Sequence, residues 1–349
     1  MKNKKPEKKL KYRPTTDGTV PIYRKKKKRK LTTQGKIIIL CGVLLLALVA
    51  TGVALYNYLF GSMNRTNISK DHSELNIDDS FFNKYKDSDI ANIAVFGDAN
   101  KDNTHLSDTI MIVSLDMKNK NIKITSIARD TLVPIDGYGK TNKINAAYNK
   151  GGALLAIKTI NQNFKMNIED YVTINMTNLS KVIDKAGGVT VTINEAERVM
   201  ANGIMDELTP KSAKIQKSGA VNLTGDQAVA YSRIRKIDSD YARMQRQRNV
   251  LQSLFSKALK LNPIDLANTI HEFMPMVETS LSNQQILYFA QILANKHAEL
   301  IEMSFPNKTT KLNPNYKING IDYVIYDLPT ASQQLHDFIY NNVKLEVLK

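Results

Sequence analysis

Short apolar runs bounded by turn residues dominate the chain from residue 90 onward. The runs at 92–96, 109–115 and 122–127 are rich in Ile and Val, which is typical of β-strands. Helical and strand patterns then alternate, and residues 194–219, which lack a strong periodicity, are interpreted as an excursion or lid. Further strands are predicted at 171–175, 189–193 and 322–326, and helices at 144–164, 179–186, 224–233, 239–261, 264–274, 283–296 and 331–341. The pattern predicts an α/β fold with a mixed central sheet sandwiched by helices.

An uncharged segment, Ile37–Phe60, precedes these elements. It is long enough to cross a hydrocarbon core of about 30 Å, so it predicts one N-terminal transmembrane helix. A cleaved signal peptide is the alternative. The segment is long for a signal peptide, and the bulky residues 56–60 do not provide a small-residue cleavage site.

The basic residues are concentrated before this segment. Residues 1–36 contain 15 Lys/Arg and 2 Asp/Glu, a net charge of +13, which leaves only +3 of the total +16 for the rest of the chain. Such a tail predicts a cytoplasmic N-terminus and an extracytoplasmic domain in a single-pass protein of the cell membrane. The small remaining charge gives no reason to expect a nucleic-acid partner.

Composition also suggests a division of the exported part. Residues 61–89 are rich in Ser, Asn, Asp and Lys and are interpreted as an extracytoplasmic stalk. We expect a catalytic domain at 90–261 and a C-terminal α/β extension packed on it at 262–349. The single cysteine, Cys41, lies in the predicted membrane segment, so the exported part can form no disulfide.

The predicted helix at 239–261 carries polar residues on its apolar face. The stripe formed by residues 251–258 continues toward the N-terminus through Gln247, Arg243 and Asp240. Charged groups that face a core are costly unless they are paired or bind a ligand. A local Asp240–Arg243 pair is one explanation.

Neighbouring arginines favour a ligand instead. Arg233, Arg235 and Arg246 lie with Arg243 in a stretch of 14 residues. Guanidinium groups bind phosphate oxygens through two parallel hydrogen bonds and stay charged when partly buried. The cluster therefore predicts a pyrophosphate site.

Several acidic and basic residues flank the predicted strands. Asp98 follows the first strand, Asp108 opens the second, and Arg129 and Asp130 follow the third. Ligands collect at the carboxyl ends of strands in open α/β sheets, and Asp108 shares that edge only if the second strand is antiparallel. Two carboxylates beside phosphate oxygens suit Mg²⁺, although an Asp at a strand end is often only a turn residue. Lys140 and Lys143 are candidates for further phosphate contacts.

Other catalytic patterns are absent from the sequence. The five histidines have no metal-ligand spacing, and there is neither a P-loop nor a G-x-S-x-G motif. Activation by a histidine base or by zinc is therefore not expected.

Three motifs resemble the LytR–CpsA–Psr family of Gram-positive bacteria: Ser126–Thr131 (SIARDT), Gly137–Gly152 (GYGKTNKINAAYNKGG) and Leu223–Val250. The basic tail followed by a single membrane anchor also resembles this family. The resemblance implies a membrane-anchored phosphotransferase that moves an anionic glycopolymer, a teichoic acid or capsular polysaccharide, from a polyprenyl-pyrophosphate carrier onto peptidoglycan. It implies Mg²⁺, with Mn²⁺ as the alternative, as cofactor. The expected partners are the lipid-linked polymer, peptidoglycan, the lipid bilayer and the cell-wall synthesis machinery.

The resemblance also implies roles for individual residues. Asp98 and Asp108 would hold the metal, and an apolar groove would hold the lipid. The expected catalytic residues are Asp108, Arg129, Asp130 and Arg235. The expected substrate-binding residues are Arg129, Lys143, Arg233, Arg235, Asp240, Arg243, Arg246 and Gln247.

The chain departs from the family pattern at two positions. Leu106 stands where the family usually has Arg, with Lys101 as a candidate substitute, and Ala99 stands where the first metal carboxylate usually lies, which leaves Asp98 as the nearest carboxylate. Two other functions remain open: a membrane-bound transcriptional attenuator of envelope genes, and a lipid-pyrophosphate hydrolase that uses water as the acceptor.

Overall fold

The computed structural model describes residues 57–98, 107–295, 297–311 and 313–347. The predicted tail, the predicted membrane segment up to residue 56, and the departures at Ala99 and Leu106 lie outside this range. Within it, no helix has the length and apolar character needed to cross a bilayer.

The elements are numbered here in chain order. The strands are β1 (Asn64–Arg65), β2 (Ile90–Asp98), β3 (Ser107–Asp116), β4 (Asn121–Ile127), β5 (Leu132–Ile135), β6 (Gly139–Lys143), β7 (Asp170–Asn175), β8 (Val189–Ile193), β9 (Gly219–Leu223), β10 (Glu278–Thr279), β11 (Leu300–Phe305), β12 (Asn313–Ile318) and β13 (Ile321–Ile325). The helices are α1 (Asp79–Tyr85), α2 (Ala146–Phe164), α3 (Met176–Lys185), α4 (Glu195–Leu208), α5 (Gly225–Ser232), α6 (Asp240–Ala258), α7 (Pro263–Phe273), α8 (Asn283–Ala294) and α9 (Leu328–Asn341), with a 3₁₀ turn at Met274–Met276.

The central sheet has the strand order β1-β10-β7-β2-β3-β4-β11 and is mixed. β3 runs antiparallel to β2 and β4, whereas β7 is parallel to β2, and β11 is parallel to β4. Alternate residues of β2 enter different cores: Ala94 and Phe96 pack with α2 and α9, and Ile93 packs with α6, α7 and α8. The predicted mixed sheet between helices is confirmed.

The predicted stalk contributes to this fold. β1 pairs with β10 at one edge of the central sheet, and Leu75, Ile77 and Phe81 are buried, the first completely. The interpretation of residues 61–89 as a stalk is therefore wrong for the part that holds β1 and α1, because these residues supply apolar surface to the core.

Residues after 261 are likewise part of the sheet. β10 lies between β1 and β7, β11 extends the sheet beside β4, and α9 packs on α2 with Leu335 and Phe338 buried. The region predicted as an extension packed on the catalytic domain thus completes its central sheet.

The predicted excursion at 194–219 contains a helix, α4. Asn194 caps it by accepting from the Glu197 amide at 2.9 Å, while the Glu197 carboxylate accepts from the Asn194 amide at 2.9 Å. Ala201 and Met205 of α4 are fully buried against the β8–β9 hairpin and α5. The segment interpreted as an excursion or lid thus contains a helix that its weak periodicity did not predict, fixed by a capping box and two buried side chains.

The sheet topology determines where functional groups meet. β2, β4 and β7 end at the edge where β3 begins, since Gly97 pairs with Thr109 and Asp98 with Ser107. The antiparallel β3 that was required for Asp108 to share this edge is confirmed.

Candidate functional site

A cavity of about 200 Å³, here called the arginine cavity, is lined by the central sheet, α3 and α6. Its apolar lining comes from Val95, Met111, Ile174, Met176, Leu179, Val250 and Leu251. Its polar lining comes from Asp108, Thr109, Ser232, Arg233, Arg235, Arg243 and Gln247. An apolar surface thus adjoins a cationic one.

Asp108 and Asp240 hold the arginines in place. Arg129 Nη1 donates to Asp108 Oδ1, and Arg243 Nη2 donates to the Asp108 carbonyl oxygen at 3.3 Å. Arg243 Nη2 also lies 3.0 Å from Asp240 Oδ1, and Arg235 Nε lies 3.5 Å from the same oxygen. The structure therefore brings these five predicted residues together.

Arg243 is buried at the centre of this cluster, with its side chain 4% exposed. Burial lowers the pKa of Arg243 to about 10; Asp240 opposes this shift, and the positive charge of Arg129 adds to it. The buried Nε atoms of Arg243 and Arg129 make no hydrogen bond to the part of the chain that the structure describes. A buried donor without a partner costs about 1–3 kcal/mol, so these groups fit an anionic ligand.

Arg246 is paired with other parts of the chain, away from the lining of the arginine cavity. Its Nε lies 2.8 Å from Glu197 Oε1, and its Nη1 donates to the Ile234 carbonyl at 3.1 Å and to Asp238 Oδ1 at 3.2 Å. Burial favours a lower pKa for Arg246, but the hydrogen bonds that it donates to Asp238 and Glu197 outweigh this effect and raise the pKa. The guanidinium joins α4, α6 and the segment between α5 and α6 and does not line the arginine cavity, so the substrate-binding role of Arg246 stays a prediction.

Asp130 and Lys143 lie beside the arginine cavity without lining it. Lys143 Nζ is 2.8 Å from Asp130 Oδ1, and Arg129 Nε is 3.8 Å from Asp130 Oδ2. The Asp130 carbonyl also accepts from the Val324 amide at 2.9 Å. The two side chains extend the ionic network from Arg129 and do not reach the cavity surface.

The predicted pair of metal carboxylates is split between two cavities. Asp108 lines the arginine cavity, whereas Asp98 lines a second cavity with Tyr148 and Glu278. Regular pairing would place Asp98 opposite Asp108, but a bulge puts Ser107 opposite Asp98 and leaves Asp108 as the extra residue. Over the described residues, no three His, Cys, Asp or Glu side chains form a metal-binding group. Among the described residues that line the arginine cavity, the carboxylate of Asp108 fits a Mg²⁺ ion in the mode where one carboxylate and substrate phosphate oxygens are ligands.

Arg248 was not among the predicted residues, and its side chain is completely buried. Its Nε lies 3.2 Å from Glu302 Oε2 on β11, and its Nη2 donates to Gln245 Oε1 at 2.8 Å. The helical spacing from Met244 to Arg248 and on to Leu251 would have placed it on the buried face.

Comparisons with known proteins agree with this fold. The model of the LytR_cpsA_psr family matches residues 55–338. The polyisoprenyl-teichoic acid–peptidoglycan teichoic acid transferase TagU of Bacillus mycoides (strain KBAB4) is 30% identical over 301 residues, which cover 84% of this chain and 92% of that protein. The crystal structure of B. subtilis TagV has a TM-score of 0.56 at 27% identity, with 72% of this chain and 98% of that chain covered.

A further solved structure, the LytR-CPS2A-psr family protein YwtF (TagT) with bound octaprenyl pyrophosphate lipid, shares the fold. Its TM-score is 0.55 at 23% identity, with 72% of this chain and 90% of that chain covered. Because the family model spans most of the sequence and TagU matches along most of its length, this chain belongs to the LytR–CpsA–Psr family.

Proposed function

We propose that this chain transfers an anionic glycopolymer, such as a teichoic acid, from a polyprenyl-pyrophosphate carrier to peptidoglycan. The observation that carries the proposal is the arginine cavity, in which Arg233, Arg235 and Arg243 adjoin an apolar lining. A lipid pyrophosphate has the same two parts, a dianionic or trianionic head and an apolar tail. The name of the TagU relative and the lipid bound to YwtF (TagT) support this substrate class.

The reaction is a phosphoryl transfer. A hydroxyl oxygen of the acceptor sugar forms a bond to the phosphorus on the polymer side, and the bridging P–O bond to polyprenyl phosphate breaks. The hydroxyl proton ends on the leaving polyprenyl phosphate. Arg129, Arg235 and Arg243 stabilise the charge on the non-bridging oxygens and on the leaving phosphate. Electrostatic stabilisation of these oxygens lowers the activation barrier of phosphoryl transfer the most.

Two acidic residues of the predicted catalytic set differ in position. Asp108 lines the arginine cavity and orients Arg129, whereas Asp130 is paired with Lys143 outside it. In a loose transition state the hydroxyl keeps its proton until late, so a general base contributes little. We assign Asp108 an orienting and ligand-holding role, and Asp130 a role in positioning Arg129.

The proposal includes Mg²⁺, or Mn²⁺, as cofactor. Asp108 would hold the ion together with phosphate oxygens of the substrate, and the ion would supply additional positive charge to the pyrophosphate. Asp98 is not part of this set, because it lines the other cavity.

We also propose that the chain is a single-pass membrane protein with a cytoplasmic N-terminus and an extracytoplasmic domain. The basic tail and the uncharged segment at 37–60 support this orientation. A residue near the C-terminal end of that segment contacts the domain: the Tyr58 ring stacks on His271 at 4.0 Å, and its hydroxyl lies 3.2 Å from Asn268 Oδ1. An anchor in the bilayer would hold the chain at the membrane in which the lipid-linked donor resides.

The experiment uses the full chain in liposomes that contain a polyprenyl-pyrophosphate-linked polymer. We expect polymer to appear on added peptidoglycan with the wild type and not with Arg129→Ala. Release of polymer at the same rate without peptidoglycan would favour the hydrolase instead. In cells, deletion of residues 2–30 from a chain that still inserts should preserve polymer attachment, whereas loss of attachment would favour the attenuator.

A further inference from the structure

Arg248 follows Gln247 on α6, but only Gln247 is among the described residues that line the arginine cavity. Successive residues of a helix are turned by about 100° around its axis, so the two side chains leave α6 on different faces. Arg248 reaches β11, where Glu302 Oε2 lies 3.2 Å from its Nε. The ion pair therefore connects α6 to the central sheet at a place outside the cavity.

This ion pair belongs to a chain of hydrogen bonds that continues to α5. Arg248 Nη2 donates to Gln245 Oε1 at 2.8 Å, and Gln245 Nε2 donates to Asn249 Oδ1 at 3.0 Å. Asn249 Nδ2 donates in turn to the hydroxyl of Tyr231 at 3.1 Å. Tyr231 is buried on α5 and directly precedes Ser232, which lines the arginine cavity. The chain thus links β11, α6 and α5 through residues adjacent in sequence to the cavity lining.

The energetics of the ion pair do not mark it as a source of stability. The Arg248 side chain is completely buried. Burial lowers the pKa of Arg248, and the charge of Glu302 opposes this shift without cancelling it. The buried Nη1 atom makes no hydrogen bond to any residue that the structure describes. Apolar side chains of similar size commonly stabilise a fold as well as such a pair does, or better.

The ion pair differs from an apolar contact in its directionality. A guanidinium paired with a carboxylate fixes one orientation of α6, whereas apolar side chains permit small rotations. A helix with its side chains has a radius of about 5–6 Å, so a rotation of about 20° would move the side chains of Arg243 and Gln247 by about 2 Å. Hydrogen-bond distances range over only about 0.5 Å, so this displacement would break contacts to a phosphate.

The position of Glu302 makes the sheet the reference for this orientation. β11 pairs in parallel with β4, with Glu302 opposite Ile124, and Arg129 follows the end of β4. β3, the next strand, carries Asp108. The ion pair therefore relates α6 to the strands that place the opposite wall of the arginine cluster.

We infer that Arg248 is a positioning residue of the transfer reaction. Paired with Glu302, it sets the rotation of α6 and so aligns Arg243 and Gln247 with the groups that the sheet places around the pyrophosphate. It contacts neither donor nor acceptor. The inference rests on the proposed function and names a residue outside the cavity that the rate depends on.

The test replaces the ion pair by apolar side chains in the full chain in detergent micelles. The double variant Arg248→Met, Glu302→Met removes both charges, and Arg248→Lys keeps the charge without the fork of donors. The matched control is Lys123→Met, Asp116→Asn, because that ion pair is also buried but lies at the other end of the sheet, where β3 ends. Urea unfolding is measured for each variant, and polymer transfer to peptidoglycan is measured over a range of lipid-donor concentrations.

We expect the Arg248→Met, Glu302→Met variant to unfold at a urea concentration within about 0.5 M of the wild type. Its kcat should fall about 10- to 100-fold, because misplaced arginines stabilise the transition state poorly. The KM for the donor should change less than about threefold, since the same positive charges still attract the pyrophosphate. Arg248→Lys should have an intermediate kcat, and the control should have the wild-type kcat per folded molecule.

A wild-type kcat in the Arg248→Met, Glu302→Met variant would overturn the inference. A large fall in its urea midpoint would do so too, because the ion pair would then serve stability. An equal fall of kcat in the Lys123→Met, Asp116→Asn control would show that any buried ion pair has this effect and would also overturn it. Absence of transfer by the wild type would instead contradict the proposed function.

Discussion

Replacement of Arg235 by alanine separates substrate binding from folding. The Arg235 side chain is 47% exposed, and its contact to Asp240 spans 3.5 Å. An exposed ion pair of this kind is screened by solvent and contributes about 0–1 kcal/mol. We therefore expect the free energy of unfolding of Arg235→Ala to stay within about 1 kcal/mol of the wild type.

Arg235→Ala should reduce the affinity for the lipid pyrophosphate much more than it reduces the free energy of unfolding. Arg235 lines the arginine cavity, where its guanidinium can donate to phosphate oxygens. A hydrogen bond to a charged group contributes about 1.5–3 kcal/mol. The dissociation constant of a polyprenyl pyrophosphate should thus rise about 10- to 100-fold.

The assay is a titration of detergent-solubilised full chain with polyprenyl pyrophosphate, next to urea unfolding of the same preparations. Arg198→Ala is the matched control, because Arg198 is paired with Glu195 on α4 and does not line the arginine cavity. Unchanged lipid affinity in Arg235→Ala, or an equal loss in Arg198→Ala, would refute the reasoning.

Three further predictions concern the stability of the fold. Arg246→Ala should lower the free energy of unfolding by about 3 kcal/mol, because it removes the buried guanidinium that pairs with Glu197 and Asp238; urea unfolding measures this, and a loss below about 1 kcal/mol would contradict it. Gly225→Ala should destabilise by about 1–3 kcal/mol, since a Cβ would lie 2.0 Å from the Ser180 carbonyl oxygen; an unchanged melting temperature would argue against this close approach. Burial lowers the pKa of His336, so the unfolded chain binds a proton below pH 6.5 where the folded chain does not, and stability should fall as the pH decreases from 6.5. A pH series of urea unfolding checks this, and His336→Gln should flatten the acid limb; identical slopes would contradict it.

The strands that carry the site were predictable because their apolar runs are continuous. β2, β3 and β4 form the centre of the sheet, and the helix with Arg243 and Gln247 was placed by its apolar stripe. β11 was missed, because Glu302 interrupts its apolar run. Glu302 can face the core because Arg248 of α6 forms an ion pair with it. This contact is between residues far apart in the sequence, so no local pattern reveals it.

The assignment of individual side chains was less predictable. Residue spacing alone could not show that a bulge separates Asp98 from Asp108, because a shift of one residue moves a side chain to the other face. Arg246 lies on a helix rich in arginine, but its partners Glu197 and Asp238 come from other segments. Short strands such as β1 and β10 depend on their pairing within the sheet and have no signal of their own.

The most direct test of the central claim is the mass spectrum of lipid that copurifies with the full chain. The account predicts a polyprenyl phosphate or pyrophosphate in the wild type, and a strong reduction in an Arg233→Ala, Arg235→Ala double variant of unchanged stability. A folded wild type without any polyprenyl lipid, or equal amounts of that lipid in the double variant, would contradict the assignment of the arginine cavity.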